Sequence, residues 1–200
     1  ATRGDLWTLI REKKRLSLDS ARYIVAQVAA AVQSVHNHGV VHRDIKLENI
    51  ALDAHGQVKL LDFGLSKRLT ERPSSTKDKR VYGYTFSLCG TSYYFSPEMV
   101  RGLGHNLSND WWQVGCLLYE LLVGKPAFFD KNSQAVQTRI LSPEGPDYTV
   151  LRKLIGDSKQ ASLAVEAVQA LLIHSSADRL GAQGGAEAVV RHPFFKSIDW

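Results

Sequence analysis

Apolar side chains recur at helical spacing over much of the 200-residue chain, broken by one interval of strand-like runs. Leu6, Leu9 and Ile10 line one face of a short helix predicted over residues 5–14. Ser17 then stands where an N-cap is wanted, ahead of a single stripe made by Ala21, Ile24, Val25, Val28, Val32 and Val35. Gly39 ends that helix where left-handed backbone is favoured, and His36 and His38 read as its polar end. The period changes across residues 40–65. Residues 50–52 and 57–61 are short apolar runs flanking Asp53-Ala54-His55-Gly56, whose turn chemistry predicts a small hairpin. Residues 66–95 are polar, basic and irregular. The strongest helix follows over residues 108–124, with Ser108 as cap, Asp110 in the first turn and Gly124 at the close. Trp111, Trp112, Val114, Cys116, Leu117, Leu118, Tyr119, Leu121, Leu122 and Val123 make it apolar nearly all round, the mark of a buried helix. Residues 131–141 and 162–173 are further helices, and 142–161, which holds Pro and Gly, is mostly loop. No internal repeat is visible. The pattern is α+β and mainly α-helical.

Composition narrows this little. A hydrophobic share of 44% and a charged share of 22% are ordinary for one globular domain with a real core. No charged-then-apolar leader is present, and no apolar run reaches the roughly 18 residues a membrane span needs. Cys89 and Cys116 are too few for a disulfide framework or a zinc site, which fits a reduced, cytoplasmic setting, with the nucleus possible. The net charge of +5 comes from Lys and Arg spread along the chain, so no nucleic-acid partner is expected.

The chemistry concentrates in two clusters. Residues 42–49 read HRDIKLEN, and residues 61–64 read LDFG. Together they bring two Asp, a Lys and an Asn onto neighbouring turns at the two ends of the expected hairpin. Such a set can hold a hard cation through oxygen, with one carboxylate left to orient a hydroxyl.

Their order and spacing resemble the catalytic-loop and Mg-loop signatures of protein kinases. The chain as a whole resembles the C-terminal lobe of a Ser/Thr protein kinase of the AGC group, with the catalytic loops carried on the short hairpin. The resemblance implies that Asp44 orients the substrate hydroxyl and that Lys46 neutralises the transferring phosphoryl group. It implies that Asn49 and Asp62 hold the Mg ions bridging the ATP phosphates. Around the nucleotide it places Asp5 (toward the ribose), Lys46, Glu48, Asn49, Ala51 (under the adenine), Leu61 and Asp62. Lys46, two residues after Asp44, points to Ser/Thr acceptors. Leu47 stands where the family commonly has Pro.

Residues 62–98 would be the activation segment, with an insertion over 71–84 whose Arg72, Lys77, Lys79 and Arg80 are expected to be solvated. SLCGTSYYFSPE, residues 87–98, resembles the AGC activation site. It makes Ser87 the phosphoacceptor for an upstream activating kinase, Arg43 one partner of that phosphate, and Thr91 a bridge toward Asp44 and Lys46. Asp110, in the AGC-like Asp110-Trp111-Trp112, would hold the HRD turn. Arg179, in Asp178-Arg179-Leu180-Gly181, would pair with Glu98. Residues 192–195 and 198–200 close as AGC catalytic domains close.

No Gly-rich phosphate loop, strand Lys or partner helix Glu occurs in these residues. The chain therefore reads as a kinase domain truncated at its N-terminus, beginning just after the hinge with the small lobe absent, and inactive alone. Substrate choice is softer. Asp5 and Glu48 match two of the acids that read upstream Arg, whereas Thr138 and Tyr93 stand where acids are common, so a modest basic preference is expected. The expected function is ATP-dependent phosphorylation of protein Ser/Thr. The alternatives are a pseudokinase scaffold with the same fold and a plain helical interaction module.

Overall fold

A computed structural model describes residues 2–72, 81–196 and 198. Strand β1 (Thr2–Asp5) runs into α1 (Leu6–Lys13), with Asp5 as N-cap accepting the Thr8 N–H at 2.7 Å. Helix α2 (Leu18–His36) is capped by Ser17 through the Ser20 N–H. The chain then turns through β2 (Val40–Val41) and a 3₁₀ turn over Leu47–Asn49 into β3 (Ile50–Asp53) and β4 (Val58–Leu60). Strand β3 lies between β1 and β4, antiparallel to both, with Ala51 opposite Asp5 on one side and Lys59 on the other. The Asp53 carboxylate closes the intervening turn by accepting the His55 and Gln57 N–H groups.

Beyond the second cluster, β5 (Lys67–Arg68) pairs antiparallel with β2, and β6 (Glu71–Arg72) with β7 (Val81–Tyr82). The base of the insertion is thus anchored. Tyr82 lies against Gly39 so closely that a Cβ there would sit 2.7 Å from its ring, and the φ of +69° also asks for glycine. Residues 73–80, with Lys77, Lys79 and Arg80, lie outside the described residues, as do Asp199 and Trp200.

The remaining elements are α3 (Pro97–Val100), α4 (Ser108–Val123), α5 (Ser133–Leu141), α6 (Tyr148–Ile155) and α7 (Lys159–Leu171), then β8 (Leu180–Gly181), β9 (Gln183–Gly184) and α8 (Gly185–Arg191). Helix α4 is the post of the fold: every residue from Ser108 to Leu122 is buried, and α2, α6 and α7 pack against it. Gly124 ends it in left-handed backbone, its N–H bonded to the Glu120 carbonyl. Trp112 stacks on Phe128 with ring centroids 5.5 Å apart, extending the core toward α5. The mainly helical reading is borne out, and among the described residues no helix is long and apolar enough to cross a membrane.

Four sequence expectations change. Residues 142–161 are not mostly loop, because α6 occupies 148–155, capped by Asp147 and buried through Leu151. Helix α7 begins at Lys159, capped by Ser158, ahead of the predicted 162. Ser108 does not cap α4; Leu107 holds the cap position without a side-chain bond, and the preceding Asn106 side chain accepts from both the Ser108 N–H and its hydroxyl. His36 is no solvated helix end. It is 5% exposed, edge-on to Trp111, with Nε2 2.7 Å from Asp110 Oδ2. His38 does lie at the exposed end, bonded to the Ser34 carbonyl.

Candidate active site

The segment from His42 to Asn49 is irregular backbone inside the fold, so its polar groups need partners from elsewhere. Helix α4 supplies them. Asp110, wholly buried, accepts the His42 N–H at 2.8 Å and the Arg43 N–H at 2.9 Å. Burial pushes its pKa up, but the His36 hydrogen bond and charge, with those two N–H groups, hold it below the ordinary carboxylate value. Arg43 meanwhile adopts φ +72°, a left-handed conformation costly for a non-glycine residue. Asp110 holds it there.

Gln113 sits one turn further along α4, and its role was not visible in the sequence. Its Oε1 accepts the Ile45 N–H at 3.0 Å, and its Nε2 donates to the Arg43 carbonyl at 2.8 Å. Composition marks Gln113 only as a polar break in an apolar run.

Asp44 emerges from this frame with its side chain engaged on every side. Lys46 Nζ and Asn49 Nδ2 each lie 2.8 Å from its Oδ2, and the Thr91 hydroxyl lies 3.4 Å from Oδ1. Lys46 Nζ also donates to Thr91 Oγ1 at 2.9 Å, so four expected site residues converge. Asn49 Nδ2 donates to the Asp44 carbonyl as well, and no hydrogen bond to Asn49 Oδ1 is seen among the described residues. Gly90 packs on the same turn: a Cβ there would come within 2.8 Å of the Arg43 carbonyl, and its φ is +101°. The segment around Gly90 and the loop carrying Asp44 meet at that peptide.

The second cluster abuts the first through backbone. The Leu61 N–H donates to the Asn49 carbonyl at 2.8 Å, and His42 Nε2 lies 3.1 Å from the Leu61 carbonyl, with its ring edge-on to Phe63. Asp62, at φ +57°, is exposed and accepts the Gly64 N–H. Among the described residues no group of three or more His, Cys, Asp or Glu could hold a metal alone. The donors on offer are the Asn49 amide oxygen and the Asp62 carboxylate. That set suits Mg bound partly by a ligand's phosphate oxygens and poorly suits a transition metal.

The other expected residues fall in three places. Asp5 and Ala51 are cross-strand partners on β1 and β3, though one Asp5 oxygen already caps α1. Ser87 is exposed, two residues after Thr85, which forms an isolated bridge with His105. Burial lowers the His105 pKa, and the Arg43 charge lowers it further. Arg43 is 7% exposed; Nε donates to the Leu65 carbonyl, while Nη1 has no partner among the described residues. Glu98 and Arg179 meet in a bidentate pair, 2.8 and 2.9 Å, deep under α4. Burial raises the Glu98 pKa, but the Arg179 bonds and charge overcome this and leave it below the ordinary value.

Glu120 was also missed. Burial raises its pKa to about 7, against the pull of a hydrogen bond from the Tyr94 hydroxyl, and the charge of Glu48 pushes it up further. Of these two carboxyl groups Glu48 is exposed and Glu120 is buried. Thr138 is exposed on α5, and Tyr93 lies against Phe129.

A family model for the protein kinase domain matches residues 1–195. Curated relatives agree over nearly the whole chain. Protein kinase 2 of Dictyostelium discoideum is 36% identical over 197 residues, 98% of this chain and 37% of that protein. Cyclic-AMP-dependent protein kinase catalytic subunit 3 of Drosophila melanogaster is 32% identical over 198 residues, 98% and 30%. Ribosomal protein S6 kinase alpha-2 of Mus musculus is 36% identical over 198 residues, 98% and 25%. These relatives bear out the AGC resemblance. The chain spans a quarter to a half of the length of such relatives.

Proposed function

Because the chain belongs to the protein kinase domain family, we propose that it carries the catalytic loop and activation segment of a Ser/Thr protein kinase acting on protein hydroxyls with Mg-ATP. The observation that carries this reading is the convergence of Lys46, Asn49 and Thr91 on the Asp44 carboxylate. Asp44 sits between two donors and can accept or orient an incoming hydroxyl. Lys46 is placed to follow negative charge from Asp44 onto a phosphoryl oxygen. Asn49 Oδ1 and Asp62 would hold Mg, which supplies charge neutralisation on the phosphates when bound. Thr91 tethers the activation segment to Asp44 and Lys46, so an acceptor laid along that segment is presented to the carboxylate.

Assayed by themselves these residues are expected to transfer no phosphoryl group, because neither a Gly-rich phosphate loop nor a strand Lys occurs among them. The test is ATP-dependent labelling of a Ser- or Thr-containing peptide by the full-length protein. Labelling that Mg chelation abolishes supports the reading, and nucleotide binding without any transfer favours the pseudokinase alternative.

Phosphorylation of Ser87 by an upstream kinase activates the site. The support is the buried Arg43 Nη1, unpartnered among the described residues, with Ser87 exposed two residues beyond the bridge to His105. A phosphate there adds close to two negative charges and can form one to three charge-assisted bonds. Ser87→Ala is expected to lower the activity of the full-length protein about tenfold or more, and a fully active variant would remove the assignment.

A modest preference for basic residues upstream of the acceptor follows from Glu48 and Glu120. A Lys or Arg of the substrate placed between them relieves their mutual repulsion and the raised Glu120 pKa. Peptide arrays should show Arg or Lys enriched upstream, with the enrichment several-fold weaker in Glu120→Gln. An array with no such enrichment in the wild type would contradict it.

A further inference from the structure

We propose that Gln113 is a positioning residue for phosphoryl transfer: its side-chain amide, with the Asp110 carboxylate, clamps the backbone on both sides of Asp44. The inference rests on the kinase reading of Asp44. Asp110 and Gln113 lie on one face of α4, three residues apart. Between them they bind the N–H groups of His42, Arg43 and Ile45 and the carbonyl of Arg43. Asp44 therefore hangs between two peptides that cannot rotate, because the carbonyl entering it and the N–H leaving it are tied to the same amide.

The amide is needed for this. Asp110 only accepts, so it can hold N–H groups but not the Arg43 carbonyl. Gln113 donates and accepts at once, and it is 0% exposed, so water cannot take either half. The clamped carbonyl is also the atom that Gly90 of the activation segment closes upon. Losing the donor would free the Arg43 peptide to swing from left-handed backbone, moving Asp44 relative to Lys46 and Thr91. Displacements of that kind cost rate more than affinity, because they misalign the reacting groups.

Two variants of the full-length protein test this. Gln113→Met keeps the volume and loses both bonds. Its kcat should fall by about 10–100-fold while KM for ATP and for peptide stay within about twofold. Gln113→Glu keeps the acceptor and regains a donor only when protonated. Burial and the nearby charges of Asp110 and Asp44 favour that protonated form, against the opposing charge of Arg43. The ratio of its kcat to that of the wild type should therefore rise as pH falls, whereas the ratio for Gln113→Met stays flat. A Met variant with wild-type kcat overturns the proposal, as does a Glu variant whose deficit ignores pH. The Glu profile decides the matter if the Met variant fails to fold. A wild-type protein that transfers no phosphoryl group removes the kinase reading and this inference with it; an active wild type beside a fully active Met variant removes the inference alone.

Discussion

Asp44→Asn in the full-length protein is expected to lower kcat by about 10²–10⁴-fold with little change in KM for ATP. Asn fills the same volume and can still accept from Lys46 and Asn49, so the loop should keep its shape. What disappears is the negative charge that draws the acceptor hydroxyl into line and receives its proton. Steady-state kinetics on a Ser/Thr peptide, with ATP binding measured separately, check the result. A kcat within tenfold of the wild type would mean that Asp44 does not perform the proposed step, whatever the family resemblance.

Arg179→Ala should instead remove the fold, costing about 3–5 kcal/mol of stability. Arg179 is 2% exposed; besides both Glu98 oxygens it bonds the carbonyls of Ser108, Ile173 and His174, and its guanidinium lies 5.1 Å above the Trp112 ring. Truncation leaves a buried carboxylate without its cation and removes a donor from each of three carbonyls. For a domain of this size the loss corresponds to a fall of about 6–20 °C in unfolding midpoint. Arg179→Lys should lose less than Ala but remain well below wild type, since one ammonium cannot reproduce the planar fork. The pH dependence has a definite sign. Glu98 has a lowered pKa in the fold, so the pair's contribution is fully present above the ordinary carboxylate value and is lost as pH falls through the lowered one. In Arg179→Ala the unpaired Glu98 should reverse this, and the variant's stability should improve on acidification. Denaturant midpoints across pH would show it, and a variant that unfolds at the wild-type midpoint would refute the structural role.

Much of this protein was legible as a one-dimensional pattern. The stripe from Ala21 to Val35, the Ser17 cap, the all-round apolar helix ending at Gly124, and the two loop motifs depend on neighbours three, four or a few residues away. Local backbone geometry alone gives such neighbours meaning. The short helix α6 escaped because one buried turn around Leu151, between Pro and Gly, has too few repeats to stand out from a loop. The buried polar residues escaped for a different reason. His36 looks like a frayed helix end until Asp110, 74 positions later, is brought against it. Gln113 and Glu120 look like blemishes in an apolar run until the Arg43 turn and Tyr94 fold over them. A polar side chain carries no sign of its partner in its own neighbourhood, and in the interior the partner decides whether it is a cost or a clamp. The sequence by itself thus determined the helices, the motif order and the family; tertiary structure decided which polar groups of α4 hold the catalytic loop, because those bonds join residues whose separation along the chain says nothing of their distance in space.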